Sequence, residues 1–379
     1  MAEIQGTWEP AFEGVVATLA SSLDAGTDVG ASVAVYLRGD PVVDVWGGYV
    51  DESRSAPWER DTITNVWSTT KTMTFLCALM LADRGELDFH APVSRYWPEF
   101  AAAGKGAVEV RHLMGHTAGL SGWSEPIEPE QLADWDLCTS LLAAQEPWWE
   151  PGTASGYHAV TQGYLIGEVV RRITGTTIGA WFASEVAGPL DADFYIGLPA
   201  SEDHRVSLVI PPPPVDVEAV NPSKIALRTF TNPLLDATYP AHEWWRRAEI
   251  PAANGHGNAR SVATIQSIIA GRGEARGVRL LSSEGCDAIF EQQSNGTDLV
   301  LGLPNRFGMG YGLSNEFMPI GPRACFWGGY GGSLIVMDQE TQVTVCYVMN
   351  RMESGLQGDF RGANIMLTAA EAVVATAEA

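Results

Sequence analysis

The chain has 379 residues, of which 46% are hydrophobic and 18% charged, a composition that fits a folded globular protein and excludes disordered and collagen-like classes. Its 23 basic residues are outnumbered by 46 acidic ones, and the net charge of -23 opposes binding to nucleic acid or anionic membranes. The N-terminal residues lack the pattern of a signal peptide, and no apolar run has membrane-spanning length, so we expect a cytoplasmic protein. The five cysteines are widely spaced, which predicts buried thiols rather than disulfides or a metal site.

Strand patterns stand near both ends of the chain. Residues 31–50 alternate between apolar and polar types around a Gly-Asp pair, which predicts an N-terminal hairpin. Residues 324–335 and 342–350 predict two further strands, and residues 360–377 predict a long closing helix. Helical spacing in the middle of the chain predicts helices at residues 70–84, 129–144, 161–174 and 261–271.

This order of elements predicts an α/β (α+β) fold, in which helices flank an antiparallel sheet and a mainly helical lobe is inserted. We assign residues 1–85 and 255–379 to the sheet lobe and residues 86–254 to the helical lobe. Residues 208–256 contain four consecutive prolines and several aromatic side chains, and they are too apolar for a simple linker. We expect this segment either to cap a pocket or to pack on the core as an irregular excursion.

The first chemical signal is the tetrapeptide Ser68-Thr69-Thr70-Lys71, which opens an apolar segment. In a helix, positions i and i+3 lie on one face, so the serine hydroxyl and the lysine amine can touch. A lysine can deprotonate a serine when burial or a helix N-terminus lowers the lysine pKa. The chain has only three lysines, which makes Lys71 a candidate base for a nucleophilic Ser68.

Other signature motifs are missing from the sequence. It contains no G-x-S-x-G elbow, so an α/β-hydrolase nucleophile is disfavoured. It also lacks G-x-G-x-x-G, P-loop and H-E-x-x-H motifs. We therefore expect a mechanism that uses neither a metal nor a cofactor.

Three further motifs follow the S-x-x-K tetrapeptide, namely His116-Thr117-Ala118-Gly119-Leu120, Tyr157-His158-Ala159 and Trp327-Gly328-Gly329-Tyr330-Gly331-Gly332-Ser333. In this order, from about Gly30 to the last helix, they resemble the serine β-lactamase and penicillin-recognising superfamily. Within it they look most like the family VIII carboxylesterases, the esterase relatives of class C β-lactamases. The resemblance implies a β-lactamase-like fold over nearly the whole chain.

The same resemblance implies roles for individual residues. Ser68 corresponds to the acylated nucleophile, Lys71 to its base or proton partner, and Tyr157 to the residue that shuttles protons to the leaving group and from the deacylating water. The backbone N–H groups of Ser68 and Tyr330 correspond to the oxyanion hole. His116 lies in a stretch that is structural in the resembling family, although we keep it as an alternative base.

Substrate preference is suggested by two departures from the β-lactamase pattern. Ala159 replaces an asparagine that holds the antibiotic's side-chain amide, and Trp327 replaces a lysine that binds its carboxylate. Both changes favour a neutral ester with an alkyl or aryl group. We assign as candidate substrate-binding residues Trp327, Gly328, Gly329, His158 and Trp123.

The sequence thus predicts a serine carboxylesterase that acts on a small-molecule ester through an acyl-enzyme. Three alternatives stay open: an amidase, D-aminopeptidase or weak β-lactamase; an acyltransferase; and a non-catalytic penicillin-recognising protein. A binder has no need of an activated nucleophile, so the Ser68, Lys71 and Tyr157 set argues against the last one. The sequence leaves a homo-oligomer open and predicts neither a nucleic-acid nor a membrane partner.

Overall fold

An antiparallel sheet of nine strands forms the centre of the computed structural model, which describes residues 2–214 and 222–378. The strands are β1 (Ile4–Trp8), β2 (Gly30–Leu37), β3 (Asp40–Gly48), β4 (Ile63–Asn65), β5 (Val206–Ser207), β6 (His256–Gly257), β7 (Glu274–Ala275), β8 (Val278–Arg279), β9 (Ser294–Thr297), β10 (Pro304–Phe307), β11 (Gly312–Leu313), β12 (Ala324–Gly328), β13 (Leu334–Asp338) and β14 (Val343–Met349). The nine-stranded sheet has the order β1-β3-β2-β14-β13-β12-β11-β10-β9, and every neighbouring pair is antiparallel. The predicted mixed fold with an antiparallel sheet is confirmed.

Helices cover this sheet and fill the middle of the chain. They are α1 (Glu13–Ala25), α2 (Lys71–Asp83), α3 (Val110–Met114), α4 (Trp135–Ala144), α5 (Thr161–Thr174), α6 (Ile178–Phe182), α7 (Gly188–Leu190), α8 (Lys224–Thr231), α9 (Glu243–Arg247), α10 (Ala259–Ala270), α11 (Ser283–Asp287) and α12 (Phe360–Glu378). Helix α10 packs against β2, β13 and β14, whereas α1 and α12 pack against each other and against the sheet. No helix in the described part of the chain is both long and apolar enough to cross a membrane, and the cytoplasmic location stays a prediction.

Most of the predicted elements are present, with two differences. The N-terminal hairpin is β2 and β3, and the five cysteines are free and buried as expected. The helix predicted at residues 129–144 is interrupted, because Asp134 has an extended backbone and its carboxylate caps α4 through the Leu137 N–H. The strand predicted at residues 324–335 is two strands, β12 and β13, since a glycine-rich loop at 329–333 separates them.

Helix α2 is enclosed by other elements of the fold. Its residues from Lys71 to Leu81 are all buried, and it packs against α5, α6 and α11. A helix that is apolar on every side is stable only in such a core, which explains the run Met73 to Leu81. The helix therefore gives the residues at its N-terminus a rigid support.

The segment at residues 208–256 is described except for 215–221. Helix α8 packs beside the 121–124 loop, where the hydroxyls of Thr229 and Ser121 are 2.8 Å apart. Trp245 in α9 is buried, and its indole N–H donates to Asn65 Oδ1 at 2.9 Å. The described part of the segment is therefore packed on the core, while its action as a cap and the lobe boundaries stay predictions.

Candidate active site

Ser68 lies in a tight turn, Trp67–Thr70, that leads directly into α2. Trp67 has a φ of +47°, in the left-handed region that bulky residues rarely adopt, so the backbone turns sharply just before the serine. The Thr70 hydroxyl donates to the Trp67 carbonyl at 2.5 Å and accepts from the Gly255 N–H at 2.8 Å. These bonds fix the turn and hold Ser68 in place, with 7% of its surface exposed.

Lys71 is the first residue of α2 and is fully buried. Its Nζ lies 3.1 Å from Ser68 Oγ and 2.6 and 3.0 Å from the carbonyl oxygens of Ala159 and Ala252. The expected contact between the serine and lysine side chains is therefore present. Burial lowers the pKa of Lys71 well below its usual value, because an ammonium inside the protein loses its hydration.

Tyr157 approaches Ser68 from the loop that precedes α5. Its phenol O–H donates to Ser68 Oγ at 2.6 Å, and its ring centre lies 4.9 Å from Lys71 Nζ. Burial raises the pKa of Tyr157, and this effect outweighs the opposing hydrogen bond to Ser68. At neutral pH the phenol therefore keeps its proton and can donate it.

The backbone N–H groups of Ser68 and Tyr330, which the resemblance assigns to an oxyanion hole, belong to two segments that pack against each other. The glycine-rich loop 329–333 lies against the serine turn, where the Ser333 hydroxyl donates to the Val66 carbonyl at 3.0 Å. The rings of Tyr330 and Trp67 meet edge to face at 5.5 Å. Among the hydrogen bonds of the described residues, none uses the backbone N–H of Ser68 or of Tyr330. Both donors are thus free to bind an oxygen.

Trp327 and Gly328 end strand β12, and Gly329 begins the loop. The Trp327 ring is fully buried and stacks on His116 at 5.5 Å, and its centre is 6.2 Å from that of Tyr157. A Cβ at Gly328 would lie 2.1 Å from the Gln357 carbonyl carbon, and one at Gly329 would lie 2.4 Å from the Val66 carbonyl oxygen. The two glycines are therefore needed for close approach, and Trp327 supports the Tyr157 ring from the core.

His158 and Trp123 are also buried, and their polar atoms are bonded to the main chain. His158 Nε2 accepts from the Leu120 N–H at 3.1 Å, and its Nδ1 is 2.6 Å from the Gly156 carbonyl oxygen. The Trp123 indole N–H donates to the Cys138 carbonyl at 3.0 Å. This placement does not support substrate binding by either side chain, because their polar atoms are already used.

His116 is fully buried, with its Nδ1 accepting from the His158 N–H at 3.0 Å. Burial lowers the pKa of His116 well below its usual value, and the neighbouring ionisable side chains of His158 and Lys71 lower it further. Its ring faces Tyr157 and Trp327, and no hydrogen bond in the described residues joins it to Ser68. The geometry gives no support to His116 as the base.

Asp298 is a site residue that the sequence reasoning missed. Its Oδ1 accepts from the backbone N–H groups of Tyr157, Val300 and Leu301, each at 2.9 Å, and the residue is fully buried. It therefore anchors the loop that carries Tyr157. One aspartate among 46 acidic residues gives no sequence signal, because its role depends on a contact across 141 positions of the chain.

Aromatic rings extend away from the serine turn. Trp67 contacts the rings of Tyr330 and Trp245, each at 5.5 Å, and Trp245 contacts Tyr239 at 5.5 Å. Trp245 is one of the aromatic side chains of residues 208–256, but the sequence gives no sign of its contact with Trp67. The serine therefore has an apolar wall on one side.

The fold and these contacts define a class of protein. A buried serine within hydrogen-bond distance of an amine and a phenol can carry out acyl transfer. On this mixed α/β fold, a serine with these two partners is typical of a serine hydrolase.

The comparisons identify the family. Residues 17–370 match the family described as beta-lactamase, so the chain belongs to the β-lactamase family. It is 37% identical over 376 residues to the "Esterase/beta-lactamase LipL" of Mycobacterium tuberculosis, covering 93% of this chain and 84% of that protein.

Solved structures agree with this membership. A crystal structure of a family VIII carboxylesterase has a TM-score of 0.93 and 40% identity, with coverage of 98% of this chain and all (100%) of the other. A penicillin-binding protein homologue from Caulobacter crescentus has a TM-score of 0.91 and 34% identity, with coverage of 98% and 100%. The predicted resemblance is confirmed, and the relatives named as esterases support the prediction of a carboxylesterase.

Proposed function

We propose that the protein hydrolyses neutral carboxylic esters through a covalent acyl-enzyme on Ser68, with Lys71 as the base and Tyr157 as the proton shuttle. The observation that carries the proposal is the position of Ser68 Oγ, 3.1 Å from Lys71 Nζ and 2.6 Å from Tyr157 Oη. A serine becomes a good nucleophile only when a neighbour takes its proton. Here both proton-transfer groups lie within hydrogen-bond reach of one oxygen.

Acylation begins when the neutral Lys71 amine takes the Ser68 proton and Oγ bonds to the ester carbonyl carbon. The carbonyl oxygen becomes an oxyanion, which the N–H groups of Ser68 and Tyr330 stabilise, each by about 3 to 4 kcal/mol in comparable enzymes. The intermediate collapses by breaking the bond to the leaving alkoxide, which takes a proton from Tyr157. Tyr157 then regains a proton from the Lys71 ammonium, and the alcohol departs.

Deacylation reverses this proton path. A water molecule gives its proton to the same pair of groups, Tyr157 and Lys71, while its oxygen bonds to the acyl carbon. The same oxyanion donors stabilise the second intermediate. Its collapse breaks the bond to Ser68 Oγ, which takes a proton back, and the carboxylic acid is released.

A neutral substrate is supported by the side chains beside the serine turn. Tyr330 places a partly exposed aromatic ring there, packed on the buried ring of Trp67. The position where the resemblance predicts a carboxylate-binding lysine in β-lactamases holds Trp327, whose buried ring supports Tyr157 and offers no cation. An uncharged alkyl or aryl group gains from such surroundings, whereas a carboxylate loses hydration without gaining a cation.

Weak β-lactam hydrolysis is the second candidate function. The relative LipL is named both an esterase and a β-lactamase, and the chemistry of Ser68 is the same for both reactions. Amide hydrolysis and acyl transfer to an alcohol need only a different leaving group or acceptor. One substrate panel can therefore test all of these activities.

The test is a substrate panel on wild type, Ser68→Ala and the control Ser121→Ala, a buried serine outside the site. The panel contains p-nitrophenyl esters of increasing length, a chromogenic cephalosporin and p-nitroanilides, with added alcohol to detect acyl transfer. We expect ester hydrolysis that is lost in Ser68→Ala and kept in Ser121→Ala. A phosphonate inhibitor should label Ser68 alone; labelling of Ser121 or Ser333 would contradict the mechanism.

A further inference from the structure

The backbone N–H of Tyr330, the proposed oxyanion donor, lies in a loop that is rich in glycine. Gly329, Gly331 and Gly332 surround it, and glycine has more backbone freedom than any other residue. Gly331 and Gly332 have φ values of +95° and +133°, which side-chain-bearing residues rarely adopt. An oxyanion donor works only when it is fixed before the charge develops. Something outside the loop must therefore hold it.

The loop is held by the chain that follows β14. The Gly331 N–H donates to the Gly355 carbonyl at 2.8 Å, and the Gly329 carbonyl accepts from the Gly358 N–H at 3.2 Å. The Gly331 carbonyl accepts from the Glu353 N–H at 2.9 Å and from the side chain of Arg361, through Nη2, at 2.8 Å. Arg361 thus provides a charged side-chain bond to the residue directly after Tyr330.

Arg361 is buried, with only 3% of it exposed, and its guanidinium is hydrogen-bonded by several groups. Its Nη1 donates to the Thr27 carbonyl at 3.0 Å, to the Arg351 carbonyl at 2.9 Å and to Asp28 Oδ1 at 2.8 Å. Its Nε and Nη2 donate to the Asp359 carboxylate. The two carboxylates compensate the buried charge, and the planar guanidinium uses each of its nitrogens.

The same residues leave no room for the loop to move inward. A Cβ at Gly332 would lie 2.3 Å from Asp359 Oδ2 and 2.6 Å from Arg361 Nη2, so the carboxylate and the guanidinium are packed directly against the loop backbone. A lysine at position 361 has one nitrogen and no planar fork, so it cannot make all of these bonds at once.

We propose that Arg361 is a positioning residue for the oxyanion hole: by binding the Gly331 carbonyl, it fixes the backbone N–H of Tyr330. The inference rests on the proposed function, because it needs Ser68 to be the nucleophile. It assigns a role in turnover to a side chain that contacts neither the substrate nor Ser68.

The test compares Arg361→Lys with Tyr347→Phe. The control removes a bond to Asp28 at 2.7 Å, in the same buried cluster but away from the loop. An alkyl boronic acid is the probe: Ser68 Oγ adds to boron, its proton passes to Lys71, and the tetrahedral anion needs the oxyanion hole. We expect Arg361→Lys to lose about tenfold or more in kcat and in boronate affinity, with KM within about twofold. Tyr347→Phe should lose thermal stability only.

A folded Arg361→Lys variant with unchanged kcat and boronate affinity would overturn the inference. If that variant does not fold, Asp359→Asn decides the question in the same assays, because it weakens the hold on Arg361 beside the loop. Failure of the proposed function has a different signature, in which wild type neither hydrolyses esters nor forms the Ser68 boronate.

Discussion

Lys71 and Lys105 are both fully buried lysines, yet their surroundings suit different protonation states. Lys105 Nζ donates to three carbonyl oxygens, those of Ala102, Ala143 and Gln145. Among the described residues, the hydrogen-bond partners of Lys71 Nζ are two carbonyl oxygens and the Ser68 hydroxyl.

The third partner decides which form of the amine fits. A carbonyl can only accept, so Lys105 satisfies all three of its neighbours only as an ammonium with three N–H groups. A hydroxyl can donate, so a neutral Lys71 can give two N–H groups to carbonyls and use its lone pair for the Ser68 proton. Burial lowers the pKa of Lys105 to about 8, opposed by Glu146, and lowers that of Lys71 well below its usual value. Burial lowers the pKa of both amines, but of the two only Lys71 has a hydroxyl beside it whose proton a neutral amine can take.

The largest expected effect is the loss of turnover in Lys71→Met. Without the amine, Tyr157 is the remaining group within hydrogen-bond reach of Ser68 Oγ among the described residues, and its phenol keeps its own proton at neutral pH. The catalytic groups act as a unit, so kcat/KM should fall by about 10⁴-fold or more. Steady-state kinetics with a p-nitrophenyl ester measures it. Lys71→Arg should be equally inactive, since arginine keeps the charge and gives up no proton. Near-normal turnover in either variant would remove Lys71 from the proton path.

Lys105→Met should show the opposite pattern. It removes three hydrogen bonds to main-chain carbonyls, so we expect a loss of about 2 to 4 kcal/mol in the free energy of unfolding. Urea unfolding followed by fluorescence measures this value, and kcat/KM of the folded protein should stay within about twofold of wild type. Equal losses of activity in the two methionine variants would erase the distinction between the lysines.

The surroundings of Lys71 show which contacts the sequence alone can predict and which it cannot. The contact between Ser68 and Lys71 was predictable, because a spacing of three in a helix fixes geometry without any long-range information. Tyr157 and Tyr330 were found only through the order of motifs. The Ala252 carbonyl, 181 positions from Lys71, carries no side-chain signal, and no pattern predicts it.

The sequence also gives no sign of several contacts between residues that are far apart along the chain. The pattern of residues 324–335 predicts one strand, whereas the structure has two, β12 and β13. Apolar alternation does not show where a glycine-rich loop interrupts a strand. Asp298 and Arg361 stabilise the Tyr157 loop and the 329–333 loop through bonds to backbone atoms. Such roles depend on which loops meet in space, and a single charged residue in a chain does not reveal that.

The pH dependence of turnover should separate the two lysines further. If the neutral Lys71 amine is the base, kcat/KM for a neutral ester should rise with pH through an apparent pKa below about 10.4 and then level off. The apparent value belongs to the coupled Lys71 and Tyr157 pair. Lys105→Met should leave the position of this rise unchanged. A flat profile between about pH 6 and 10 in wild type would contradict general-base action by Lys71.

The smallest expected effect is on the pH dependence of stability. The folded pKa of Lys71 lies below its unfolded value of about 10.4, so between the two the unfolded chain binds one more proton than the folded one. Stability contributed by this residue is therefore complete above the unfolded pKa and is lost as pH falls through the window. The slope reaches at most about 1.4 kcal/mol per pH unit.

Comparing each methionine variant with wild type isolates this slope, because other titrating groups cancel in the difference. His116 and His158 face Lys71, but burial lowers the pKa of both below the ordinary histidine range, and burial raises that of Tyr157, so none of them titrates between about pH 7 and 8. Over that interval, wild type should gain stability relative to Lys71→Met. Relative to Lys105→Met it should gain less, since Lys105, with a pKa of about 8, keeps most of its charge at pH 7 and about half of it at pH 8 in the folded protein. Urea unfolding at several pH values measures both differences, and parallel curves for wild type and Lys71→Met would show that the buried amine keeps its proton and is not the base.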